Sequence, residues 1–238
     1  MALRIGVDVD GVLADFRTAF HAAARRCLGR EIAEPEQPAD ARADPQKDLK
    51  RVWECVGKRT NWWVELEPYE PEQIARLYRA ARAGGWEVFF LTNRPASAGD
   101  TVQFQTQWWI ERHGFFLPAV LTVPGSRGEI ANGLRLDVVV DDLPINCVDV
   151  VTASAAKALL MQREADKAAE EHAVARGIGV VPTLAEAITV FERLHELLPT
   201  RRGRLVRLVD WFLPRAKGET LPRNPRIDHP VPPRPTSG

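Results

Sequence analysis

Short apolar runs that turn polar at their C-terminal ends recur along the chain, alternating with longer stretches whose apolar positions repeat every three to four residues. The first kind comprises "LRIGVDV", "WEVFFLTN", "AVLTV" and "LDVVVDD", with "AKALLM" a weaker fifth. The second kind includes "PEQIARLYRAARAGG". There Pro71 stands in the first turn, Ile74, Leu77, Tyr78 and Ala81 share a face, and two glycines stop the helix. "TLAEAITVFERLHELL" lines up Leu184, Ala187, Ile188, Phe191, Leu194 and Leu198 in the same way. Strands that are apolar throughout are buried on both faces, and their alternation with helices predicts an α/β fold built on a doubly wound parallel sheet. Ligands bind at the carboxyl ends of strands in such sheets. The polar residues at those ends are therefore the first candidates for chemistry.

Residues 15–68 break the alternation. "FRTAFHAAARRCLG" is helical by its Phe16, Phe20, Ala23, Cys27 spacing, and "QKDLKRVWECVGKR" repeats the pattern with Leu49, Val52, Trp53 and Val56. Between them, "EPEQPADARADP" reads as an acidic, proline-rich loop. The prediction is a small helical cap over 15–68, inserted after the first strand of a core made of residues 1–14 and 69–198. Residues 199–238 differ again, with nine Lys/Arg against three Asp/Glu and seven prolines after Trp211. This composition predicts a flexible basic tail. Within it, "RLVRLVDWFLPR" groups Leu205, Leu208, Val209 and Phe212 on one helical face; the acidic body, a membrane surface and an acidic partner are all compatible occupants.

Composition narrows the picture modestly. A chain of 238 residues, 45% hydrophobic and 27% charged, is long enough to bury a sizeable core. Cys27, Cys55 and Cys147 are odd in number and form no CxxC pair, which predicts reduced, inert packing thiols without a structural disulfide. Arg4 and Asp8 interrupt the N-terminal apolar run, and no run reaches the roughly 18 apolar residues of a membrane span. The expectation is a cytoplasmic protein with no transmembrane segment and no nucleic-acid polymer as partner.

The strand ends carry the chemistry. "IGVDVDGVLADF" sets Asp8 and Asp10 at the end of the first strand, followed by Asp15. Thr92 and Asn93 end the second strand, and Asp141 and Asp142 the fourth; Arg127 opens a helix after the third. Residues i and i+2 of a strand share a side, so Asp8 and Asp10 converge. Clustered carboxylates raise one another's pKa unless a cation neutralises them, and a hard, oxygen-seeking Mg²⁺ is the natural partner. Carboxylates, a divalent metal, a hydroxyl and an arginine together suit phosphoryl transfer, in which an anionic nucleophile attacks an anionic phosphate.

"DVDGVLAD", "LTNRP", Arg127 and "VVVDD" resemble, in order, the four motifs of the haloacid dehalogenase superfamily. Within it, "DGVLADF", "NWWVELEPYEPE" and "LTNRP" look most like the 5'-deoxyribonucleotidase group. The resemblance implies that Asp8 is the nucleophile and forms an aspartyl-phosphate, while Asp10 protonates the leaving oxygen and then activates water. It implies that Thr92 and the Asn93 backbone bind phosphate. Asp8, the Asp10 carbonyl and the Asp141–Asp142 pair hold Mg²⁺, with Asp142 favoured for direct contact because adjacent strand residues point oppositely. Arg127 stands where that family usually has Lys, and it differs in reach and hydrogen-bond geometry. An Asp at the second position accompanies phosphatases and mutases of that superfamily. The implied function is a Mg²⁺-dependent phosphomonoester hydrolase acting on a small molecule, with a nucleotide the favoured substrate. A phosphomutase or phosphotransferase, a sugar-phosphate phosphatase and a non-enzymatic binding protein remain as alternatives.

Other residues admit simpler readings. Asp15 suits a helix N-terminus as well as a site. Trp108 and Trp109 read as core packing on an amphipathic helix, and His21, His113, His172, His195 and His229 show no ligand spacing. Trp62 and Trp63 in "TNWWVELEP" either seal the cap against the core, or one of them faces the cleft and stacks on a base, as cap aromatics do in the resembling nucleotidases.

Overall fold

The computed structural model describes residues 2–30 and 45–197. The basic tail at 199–238, Leu198 and nearly all of the acidic loop lie outside these residues. Six strands form one parallel sheet: β1 (Arg4–Asp8), β2 (Glu87–Thr92), β3 (Ala119–Thr122), β4 (Val138–Asp141), β5 (Lys157–Met161) and β6 (Gly179–Val181), in the order 3-2-1-4-5-6. Each apolar run of the sequence is one of these strands. Helices α1 (Phe16–Leu28), α2 (Pro45–Gly57), α3 (Pro71–Gly84), α4 (Val102–Arg112), α5 (Arg127–Gly133), α6 (Pro144–Ala153) and α7 (Lys167–Ala175) are joined, among the described residues, by a further helix, α8, over 184–197.

Alternation along the strands divides the core between two faces. On β4, Val138 and Val140 face one layer and Val139 the other. The first layer holds Ile74 and Leu77 of α3, Trp109 and Ile110 of α4, and Leu184, Ile188 and Phe191 of α8. The second holds Ala131 of α5, Cys147 and Val150 of α6, and Ala173 of α7. A three-residue edge strand such as β6 leaves too short an apolar run to stand out in the sequence, which is why the pattern missed it.

The segment between β1 and α3 carries α1, α2 and a 3₁₀ turn at Trp62–Val64. Its exit and return are stitched together: the Asp15 amide donates to the Glu67 carbonyl at 2.8 Å and the Tyr69 amide to the Leu13 carbonyl at 2.9 Å. Val52, Val56, Trp62, Trp63 and Leu66 share one hydrophobic cluster with Ile5, Val7 and Phe90 of the sheet, so the insertion rests directly on the first layer.

Two expectations are corrected here. Cys27 and Cys55 form a disulfide between α1 and α2, with Cα atoms 6.3 Å apart; only Cys147 is a free thiol. Twenty-eight residues separate the pair in sequence, and it is the packing of α1 on α2 that brings them within reach. Trp108 is 49% exposed, whereas Trp109 is fully buried and donates its indole N–H to the Leu66 carbonyl at 2.7 Å. Consecutive helical residues lie about 100° apart, and the buried face of α4 falls on Gln105, Thr106, Trp109 and Ile110, which leaves Trp108 on the outer side.

Candidate active site

The order 3-2-1-4-5-6 reverses direction between β1 and β4, and the crevice at such a reversal is where ligands bind in open α/β sheets. A cavity of about 740 Å³ opens there, bordered by Asp8, Asp10, Asn93, Arg127 and Asp142. Asp8 is the last residue of β1 and is 6% exposed. Burial first, and the charge of Asp141 second, push its pKa well above the usual carboxylate range, against the pull of Arg127.

Arg127 comes from the first turn of α5. Ser126 caps that helix by accepting from the Glu129 amide at 3.0 Å, and Asp149 of α6 holds the turn by accepting from the Ser126 hydroxyl at 2.7 Å and the Gly128 amide at 2.8 Å. A Cβ on Gly128 would stand 2.4 Å from the Asp149 carbonyl oxygen, so α5 and α6 meet this closely only with glycine there. The Arg127 side chain is thereby aimed inward. Its Nη2 donates to Asp8 Oδ1 at 2.7 Å and its Nε lies 3.3 Å from Asp141 Oδ2. Its Nη1 is buried without a hydrogen-bond partner. An orphaned guanidinium donor beside a buried aspartate at the cavity edge suits an anionic ligand.

Asp141 ends β4 and is fully buried. It accepts from the Leu143 amide at 2.9 Å and from Asn146 Nδ2 at 3.0 Å, and burial is the main cause of its raised pKa. Asp142 borders the cavity and approaches the loop after β1: a Cβ on Gly11, whose φ is 81°, would lie 1.9 Å from Asp142 Oδ2. Burial, then the Asp141 charge, lift the Asp142 pKa to about 7. One carboxylate oxygen each from Asp8, Asp141 and Asp142 lie within 4.8 Å of one another. Both members of the Asp141–Asp142 pair thus join the cluster, because strand geometry ends at Asp141. Behind it, burial raises the pKa of the Cys147 thiol, keeping it neutral.

Asp10 borders the cavity but is not one of the three grouped carboxylates. Its carboxylate receives two bonds from Arg94, Nε to Oδ2 at 2.9 Å and Nη2 to Oδ1 at 2.7 Å, and a longer one from the Thr92 hydroxyl at 3.4 Å. Thr92 is buried at 1% exposure, while Asn93 is exposed and borders the cavity. Arg94 is the residue that sequence reasoning passed over. The signal was a charged residue directly after the second strand's polar end, in "LTNRP".

The insertion supplies the opposite wall. Phe16, Trp53 and Trp63 border the cavity, with Phe16 stacked on Trp53 and on Trp63 at centroid distances of 6.0 Å. Trp62 does not border it: its ring is buried in edge contact with Trp63 at 4.7 Å. Asp15 caps α1 by accepting from the Thr18 amide at 3.0 Å, and it also receives the Tyr69 hydroxyl at 3.1 Å. Arg163, after β5, donates to the Gly11 and Val12 carbonyls and to Glu70, tying the exit of the insertion to its return.

No family model matches the chain, and no curated protein matches it either. Solved structures do. A haloacid dehalogenase-like family hydrolase of Streptococcus pneumoniae superposes with a TM-score of 0.54 at 12% identity, covering 80% of this chain and 98% of that one. A haloacid dehalogenase hydrolase of family IA, variant 3, from Entamoeba histolytica gives 0.49 at 14%, covering 78% and 95%. CbbY of Rhodobacter sphaeroides, in complex with phosphate, gives 0.46 at 17%, covering 78% and 96%. Taken with the all-parallel sheet and its strand order, the first of these matches shows that the chain has the fold of the haloacid dehalogenase-like hydrolases.

Proposed function

We propose that this protein is a Mg²⁺-dependent phosphomonoester hydrolase that works through an aspartyl-phosphate on Asp8, with a nucleotide as its substrate. The observation that carries the reading is the pairing of Asp8 with Arg127, whose second terminal nitrogen is buried and unpartnered. The same guanidinium that holds the nucleophile has one donor left for the phosphate it attacks. Asp8 Oδ2 is free of the Arg127 bond and is the attacking atom. Asp10 gives a proton to the leaving oxygen, and in the second half-reaction takes one from the water that releases phosphate. The Asn93 backbone at the cavity edge binds a phosphate oxygen, while the Thr92 hydroxyl, which the motif also offered for phosphate, stays on Asp10 Oδ2.

The donor set fits a magnesium ion. Four carboxylates (Asp8, Asp10, Asp141 and Asp142) meet two guanidinium groups, and a hard dication compensates the excess through oxygen ligands. Asp8, the Asp10 carbonyl and Asp142 are the ligands, with Asp141 completing the acidic cluster. The ion supplies charge neutralisation for the phosphate and the developing negative charge. Metal-free protein should gain thermal stability with added MgCl₂, by RT ln(1 + [Mg²⁺]/Kd), about 2.7 kcal/mol at a hundredfold excess over Kd. EDTA should silence turnover and Mg²⁺ restore it. The deciding experiment is a Mg²⁺-supplemented screen for free phosphate release over nucleotides and sugar phosphates. Transfer of the phosphoryl group to an added acceptor without phosphate release would replace hydrolase by phosphotransferase, and no turnover with no thermal shift would reject the reading.

The aromatic wall supports the nucleotide. Trp63 is 1% exposed and packs against the core, so the accessible ring surface beside it belongs to Phe16 and Trp53. Base–aromatic stacking contributes about 1–3 kcal/mol and tolerates different bases. Trp53→Leu should weaken kcat/KM for nucleotides some 5- to 150-fold, by roughly that energy. Hydrolysis of a small baseless phosphate should stay within about twofold, since the stacking contribution has no counterpart there. Trp63→Leu should instead lower the melting temperature and slow both substrates alike. Equal losses for both substrates in Trp53→Leu would remove the nucleotide from the proposal.

A further inference from the structure

Arg94 lies behind the cavity rather than in it. Its side chain is fully buried, and every nitrogen is engaged: Nε and Nη2 on the two oxygens of Asp10, and Nη1 on the Thr106 hydroxyl of α4 at 2.9 Å. Thr106 is anchored in turn, donating to the Val102 carbonyl at 2.7 Å. The guanidinium carbon sits 4.6 Å from the centroid of the Trp63 ring, and that ring is pinned by its N–H to the Pro95 carbonyl at 3.0 Å. A planar fork held on three sides fixes the plane of the carboxylate it grips.

Asp10 itself is 23% exposed at the side chain and borders the cavity. A carboxylate offers about four lone-pair positions. Arg94 takes one on each oxygen, and the Thr92 hydroxyl leans on Oδ2. The position left is on Oδ1. We infer that Arg94 is a positioning residue that locks the rotamer of Asp10 and presents its Oδ1 to the leaving-group oxygen, with Trp63 of the insertion as the other wall of the lock. This rests on the hydrolase reading of Asp10 given above and goes beyond it by naming what orients that group. Arg94 touches neither substrate nor phosphate, so its loss should act only on steps in which Asp10 moves a proton.

Leaving groups separate that role from a structural one. An aryl phosphate such as p-nitrophenyl phosphate departs without proton donation, whereas an alkyl phosphate such as glycerol phosphate needs it. In the Arg94→Met variant, pre-steady-state release of p-nitrophenolate should remain within about tenfold of wild type and become a burst of one equivalent. The slow phase after it is hydrolysis of the aspartyl-phosphate, which needs Asp10 as base. The first turnover of the alkyl phosphate should slow by about 100-fold or more, the low end of what general acid–base catalysis contributes. Thr106→Val removes only the Nη1 anchor, and it should shift the same ratio in the same direction by a smaller factor. That variant decides the matter should Arg94→Met not fold. Equal slowing of both leaving groups, or no change in either, overturns the inference. Wild-type protein inactive on both phosphates would overturn the hydrolase reading instead.

Discussion

Asp8→Asn should abolish phosphate release while leaving the protein at least as stable as wild type. The asparagine keeps an oxygen to accept from Arg127 Nη2, and the change in volume is negligible. On the proposed mechanism, what disappears is the nucleophile and one of the metal-binding oxygens. Phosphomonoester hydrolysis is among the slowest uncatalysed reactions, with enzymatic enhancements up to ~10²¹, so removing the covalent route should reduce turnover by at least about 10⁴. Stability should move the other way. The pKa of Asp8 is raised above its unfolded value by burial and by Asp141. A carboxyl of that kind binds its proton more tightly when folded, so its ionisation costs stability as pH rises above about 4. In EDTA at pH 7 the variant should therefore melt at or above the wild-type temperature, the difference closing toward pH 4. The Mg²⁺-dependent rise in melting temperature should shrink in the variant. Residual turnover above a tenth of wild type would remove Asp8 as nucleophile.

How much of this was legible in the sequence depends on whether a feature is local. The parallel sheet was, because strands buried on both faces are apolar along their whole length, and Val138, Val139 and Val140 write that rule three times over. The candidate site was legible for the same reason: Asp8, Asp10, Asp141 and Asp142 stand out as charges at the ends of apolar runs. What depends on distance across the fold was not. Arg94 meets Asp10 across 84 residues, between neighbouring strand ends, and it is the pairing of β1 with β2 that brings its fork to that carboxylate. Cys27 and Cys55 look like an unpaired remainder until α1 packs on α2. Trp62 and Trp63 are adjacent and equally buried, and the 3₁₀ turn decides which one reaches the cavity wall. Strand alternation suggested that Asp141 and Asp142 point apart, yet the strand stops at Asp141 and the turn brings both to Asp8.

Arg127 is where the electrostatics of the buried aspartates and the proposed chemistry meet in one side chain. It is 5% exposed and stands between Asp8 and Asp141, whose carboxylates are also buried. Arg127→Met keeps the length and removes the charge, leaving two buried carboxylates facing each other without a counter-ion. Breaking a buried ion pair from one side costs about 3–5 kcal/mol, because the surviving charge is uncompensated. Both aspartates already have raised pKa values, and loss of the cation raises them further. The penalty is thus paid by the ionised forms: it should be largest at neutral pH and above, and diminish as pH falls toward the ordinary carboxylate range near 4, where both groups are protonated. Melting temperatures of wild type and variant, measured in EDTA, should converge on acidification. Turnover at pH 7 with saturating Mg²⁺ should drop by about 10²–10³, the usual loss for one donor aimed at developing negative charge. Arg127→Lys separates charge from geometry. An ammonium restores the counter-charge, so most of the stability should return, but its three N–H donors radiate from one nitrogen, whereas the Arg127 fork reaches Asp8 and Asp141 from two nitrogens and keeps a third for the phosphate. Its turnover should fall between wild type and Arg127→Met. Full activity in Arg127→Met would mean that the buried guanidinium serves the fold alone, and that the phosphate is bound by the Asn93 backbone without it.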